Sequence, residues 1–133
     1  MGYEVTLKIV DVSRHKDRDG KQWGRVLGSV ELGKLFPGAF YELHGDSKPA
    51  KAGVYFYADD GDTQVLEDRY GDALSVMEPH KVVWALAQDQ RVLIDQEGLG
   101  RGYWAYDAAI AMLNAIQAHG DSFDSVVVMG FGH

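Results

Sequence analysis

The chain reads as an α+β fold of about five or six strands, mostly paired antiparallel, packed on two helices near residues 79–90 and 103–118. Three observations predict this. Residues 3–12 alternate, with Tyr3, Val5, Leu7 and Ile9 on one side and Glu4, Thr6 and Lys8 on the other, the period of a half-buried strand. Two strand-like stretches are followed by Asp- and Gly-rich turns, the signature of hairpins. Two later stretches carry helix start or stop signals.

In order, the first strand ends in the charged segment Ser13–Lys21, which contains Asp19-Gly20, and returns as a strand over Trp23–Leu32. Leu35-Phe36-Pro37-Gly38 reads as a turn. Ala39–Leu43 fits either a short strand or a helical turn, and Gly45–Gly53 reads as a polar loop, the best candidate for a mobile segment. Val54–Ala58 is rich in β-formers, Asp59–Asp62 turns it, and Thr63–Glu67 returns it. A loop over Asp68–Leu74 leads to a helix starting at Pro79, a residue suited to the first helical position because its missing N–H costs nothing there. Val82, Val83, Leu86 and Ala87 form its buried stripe, and Trp84 lies off that stripe. Val92-Leu93-Ile94 reads as a short strand or extended connector. Gly98-x-Gly100-x-Gly102 then opens a run over Tyr103–Ala118 that is apolar on almost every face, which predicts a central core helix. Gly120 closes it, and Ser125–Met129 reads as an inner strand.

At 133 residues the chain is expected to form a single domain, residues 1–133. It has no cysteine, which excludes disulfides, thiolate metal sites and a cysteine nucleophile. The net charge of −7 argues against direct nucleic-acid binding, which needs clustered Lys and Arg. The first residues lack the basic-then-apolar pattern of a signal peptide, and the longest apolar run is interrupted by Asp107 and Asn114, so no membrane span is expected and the cytoplasm is the expected location.

Chemistry-bearing motifs are sparse. The five histidines make no His-x-x-x-His pair, the serines have no nucleophile-elbow setting, and the turn carboxylates miss the calcium-loop pattern. No catalytic residue, metal site or cofactor is therefore expected. Two binding readings stand. The first is a noncatalytic protein acting on a protein partner through an aromatic and acidic surface formed by Tyr55, Tyr57, Asp59, Asp60, Asp62, Tyr70 and Trp84. Tyr and Trp bury much area at little entropic cost. The second is a nucleotide- or phosphate-binding protein, with an enzyme as one form of it. It would hold an anion on Gly98, Gly100, Arg101 and Gly102 at the N-terminus of the second helix, where free N–H groups and the helix dipole favour negative charge. This loop departs from the dinucleotide pattern, because Tyr103 stands where a third glycine belongs. A homo-oligomer is compatible with either reading.

The segments Val54-Tyr55-Phe56-Tyr57-Ala58-Asp59-Asp60-Gly61-Asp62 and Glu67-Asp68-Arg69-Tyr70-Gly71-Asp72-Ala73-Leu74 resemble hairpins of small acidic accessory proteins of bacteriophages. The resemblance is one of composition over about 20 residues and transfers no functional residue. It implies a protein that binds and alters a host component.

Overall fold

The computed structural model describes residues 4–12, 22–34, 38–47, 54–58, 60, 63–65, 67–71, 74–97, 101–119 and 126–133. The expected turns at 13–21 and 35–37, residues 48–53 of the polar loop, Asp59, Asp62, Gly98, Gly100 and Gly120 lie outside them. Among the described residues the elements run β1 (Glu4–Val12), β2 (Gln22–Lys34), α1 (Ala39–Asp46), β3 (Val54–Tyr57), β4 (Gln64–Val65), β5 (Ser75–Met77), α2 (Pro79–Glu97), α3 (Arg101–His119) and β6 (Val126–Gly132). The fold is α+β, as the periodicities predict.

The strands form one mixed sheet in the order β4-β3-β2-β1-β6-β5. Four pairings are antiparallel, and β2 with β3 is parallel. The parallel pair follows from α1, which carries the chain from β2 back to start β3 in the same direction. The β1–β2 register slips twice, between Val5 and Thr6 and between Ile9 and Val10. At the first slip Gly33 adopts φ +74°, the left-handed conformation that a glycine bulge needs. Such bulges bend a strand and sharpen its twist.

All three helices contribute to a core on one face of the sheet. Val5, Leu7 and Ile9 of β1, Leu32 of β2 and Val126 and Val128 of β6 meet Phe40 of α1, Val82, Ala85 and Leu86 of α2, and Tyr106, Ala109 and Leu113 of α3. Burying the larger of these aliphatic side chains contributes on the order of 1.5–3 kcal/mol each before chain entropy is set against it. The alternation of β1 therefore orients the whole sheet. Its odd positions anchor the helices, and Thr6 and Lys8 point to the opposite face.

Three expectations need correction. The described residues hold three helices rather than two, because Ala39–Asp46 is helical. Its first N–H groups are capped from elsewhere: Asp89 of α2 accepts hydrogen bonds from Ala39 N at 2.8 Å and Phe40 N at 2.9 Å. Val92-Leu93-Ile94 is no strand, since α2 continues through it to Glu97. Three apolar residues fit a helix as readily as a strand when periodicity is the sole guide. Nor is α3 a central helix. It buries Tyr106, Ala109 and Leu113 along one stripe and exposes Trp104, Ala108, Ala111, Ala115 and Ala118. Alanine is the best helix former and costs little in water, so it inflated the apolar count without marking a buried face.

No described helix is long and apolar enough to cross a membrane.

Candidate functional site: a cleft on the helix-free face

The face of the sheet away from the helices carries its own apolar cluster. Val10, Phe56, Leu74 and Met129 are buried there, with Val12, Val26, Val65, Val76, Val127 and Phe131 half-buried around them. A cleft of about 630 Å³ opens on this face, within the range of small-ligand sites. Its floor is Val26, Phe56, Val65 and Phe131, with Tyr57 and Ala58 beside them. Its polar groups are Thr6, Lys8, Arg69 and His133.

Each polar group is placed by its strand or turn. In the ladder Thr6 stands beside Phe131, Lys8 beside Met129 and Ser29, and Val10 beside Val127 and Val26. Polar groups thus pass to apolar ones along β1. Lys8 Nζ donates to Ser29 Oγ at 2.9 Å and sits 5.8 Å from the centre of the Phe56 ring, in reach of a cation–π attraction. Arg69 comes from a loop. Its own N–H donates to the Gly132 carbonyl at 3.0 Å, and Asp68 Oδ1 accepts from Tyr70 N at 2.8 Å in an Asx-type turn. Gly71, at φ +79°, closes that turn with its N–H on the Asp68 carbonyl. Asp68 thereby fixes the loop that offers the Arg69 side chain to the cleft.

One end of this face is acidic. Glu4 and His133 exchange backbone hydrogen bonds, and the His133 ring lies 3.9 Å from Glu4 and 4.0 Å from Glu31. These three offer ligand atoms within 4.8 Å of one another, a spacing that could hold a metal ion. Thr6 Oγ1 is 3.0 Å from His133 Nε2. Hydroxyl, imidazole and carboxylate thus follow in the order of a nucleophile relay. The geometry is not one, because 3.9 Å between His133 Nδ1 and Glu4 is an ion-pair separation, too long for a hydrogen bond.

A second hydroxyl–imidazole pair lies within the fold. Ser75 and His44 are buried against Gly130 on the helix-covered face. Gly130 N donates to Ser75 Oγ at 3.1 Å, and the same oxygen lies 2.7 Å from His44 Nδ1, within hydrogen-bond distance. A Cβ on residue 130 would stand 2.5 Å from both Nδ1 and Oγ. Both side chains are buried, His44 at 4% and Ser75 at 0% exposure.

The residues expected to form one aromatic and acidic surface are spread over the molecule. Tyr55 is 2% exposed, with its ring edge-on to Tyr57 at 5.7 Å, so it offers no docking surface. Tyr57 is half-buried, 6.4 Å from the Trp23 ring, and lines the cleft. Asp60 is exposed, and its carboxylate accepts from the backbone N–H and hydroxyl of Thr63, a turn-forming role. Tyr70 is exposed next to Arg69. Trp84 is 63% exposed but lies on the helical side, where it borders an apolar groove between α1 and α2 lined by Ala39, Leu43 and Ala85. The element before the glycine loop is α2 and not a strand, so the strand–loop–helix order of a dinucleotide cradle is absent there. Arg101 and Gly102 fall in the first turn of α3. Gln90 Nε2 reaches Asp107 at 3.4 Å between α2 and α3, consistent with a connector joining two packed helices.

Thr6, Lys8, Val26, Arg69, Phe131 and His133 were not singled out by sequence. The available signal was the polar side of β1, where Lys8 lies two residues from Val10 on the same face.

No family model, curated protein or solved structure matches the chain.

Proposed function

We propose that this is a noncatalytic binding protein whose ligand seats in the cleft on the helix-free sheet face. One observation carries the reading: a ligand-sized cleft with an apolar floor and a few convergent polar groups, built on paired strands. Sites on strands hold their geometry better than sites on loops. The interrupted relay at Thr6, His133 and Glu4 supports binding over catalysis.

The test is amide chemical-shift mapping with a library of small aromatic fragments. Shifts should cluster on β1, β6 and residues 67–71. Val26→Glu, which puts a carboxylate into the floor, should abolish them while the protein melts within a few degrees of the parent. Fragments that perturb only residues on α1 and α2 would move the site to the other side of the molecule.

That outcome is the second reading, a protein partner seated beside Trp84. It is favoured by the exposure of this large ring at the edge of an apolar groove. Trp84→Ala would then abolish partner capture, and Val26→Glu would leave it unchanged.

A further inference from the structure

We infer that the cleft selects small organic anions, an acidic head on an apolar body of about the size of two fused aromatic rings. The inference rests on the binding reading above and adds the charge of the ligand. The chain carries 20 acidic against 13 basic residues, yet the described lining of this cleft holds Lys8 and Arg69 and no carboxylate. Neither cation has a carboxylate partner among the described residues: the Lys8 ammonium is held by Ser29 Oγ and the Phe56 ring, and Arg69 is anchored through its backbone N–H. A cation held over an apolar floor loses water on one side. An anion arriving from solvent offsets that loss with charge-assisted hydrogen bonds.

The acidic residues at the end of the face sharpen the position. Glu4 lies beyond Thr6 on β1 and Glu31 stands across from Thr6 on β2, both against His133. They repel an anion from that end and leave Lys8, two residues along β1 from Thr6, for its head, with Arg69 reaching the cleft from the loop bound at Gly132. The apolar body then covers Val26, Phe56 and Phe131. Thr6, whose Oγ1 lies against His133 Nε2, stands between Glu4 and Lys8 along β1.

The experiment compares three ligands with one body and three heads: 2-naphthoate, 2-naphthamide and 2-naphthylmethylammonium, titrated by calorimetry with shift mapping. The naphthoate should bind at least about tenfold tighter than the other two, the difference of one good charge-assisted contact. In Lys8→Met/Arg69→Met the advantage should fall to about twofold with the melting temperature unchanged. Added salt should weaken naphthoate binding to the unaltered protein and leave naphthamide untouched, a reading that stands even if the double variant folds poorly. Equal affinity for the three heads, preference for the ammonium, or a naphthoate preference that survives the double substitution would each overturn the inference while the cleft remained a binding site. If none of the three shifts any cleft amide, the binding reading falls with it.

Discussion

On the helix-covered side of the sheet, Ser75, His44 and Asp89 are buried and committed to neighbours: Ser75 to His44 and Gly130, and Asp89 to the start of α1. On the helix-free side, Lys8 and Arg69 line an apolar cleft and face solvent with no carboxylate partner among the described residues. Both sides are strand faces with an apolar cluster, yet their polar groups are used differently. On the first, polar side chains complete the backbone hydrogen bonding that tertiary packing leaves open. On the second, the fold stands without their charge, which leaves that charge available to a ligand. Substitution should separate the two sides, costing stability on one and ligand affinity on the other.

The largest expected effect is at Asp89. Replacing it with alanine strands the N–H groups of Ala39 and Phe40 under the helical layer and should cost about 3–4 kcal/mol in denaturant unfolding. A loss under 1 kcal/mol would mean that water reaches the start of α1. Next is Gly130→Ala, whose added methyl pushes Ser75 and His44 apart. We expect a loss of about 3 kcal/mol from overpacking and a broken hydrogen bond. The smallest is a pH effect at Tyr106. Burial, and then the charge of Asp89, push its phenol from 10.0 up to about 12. The protonated phenol is the form that the fold favours. Its contribution is therefore whole below pH 10 and is lost as pH rises toward 12, a loss of about 2 kcal/mol. Tyr106→Phe should abolish that share of the alkaline destabilisation, read as the difference between the two unfolding curves. Parallel curves from pH 9 to 12 would place Tyr106 in a wetter setting.

The same division explains what could be read from sequence. Strand β1, the hairpin of β3 and β4, the inner strand β6 and the start of α2 at Pro79 are written in local pattern, and each appears where expected. So does the alternation that sends Val5, Leu7 and Ile9 to the helices. The parallel pairing of β2 with β3 was not legible, since it depends on α1, whose capping acid lies 50 positions downstream. Nor was the cleft. Its lining comes from β1, β2, β3, β4, β6 and the Arg69 turn, and no local window holds more than a part of it. The aromatic surface failed for a related reason. Tyr55 and Tyr57 share one strand face, but the first is covered and the second lies at the cleft, which alternation by itself cannot distinguish.

The Asp89 cap also bears on the order in which the chain can assemble. An eight-residue helix is too short to persist alone in water, and the partner that completes its first turn arrives only when α2 docks. Helix α1 should therefore form late, after a loop of about 50 residues has closed. Its first amides should then exchange with solvent through openings that also release α2, so that two segments distant in sequence share one clock.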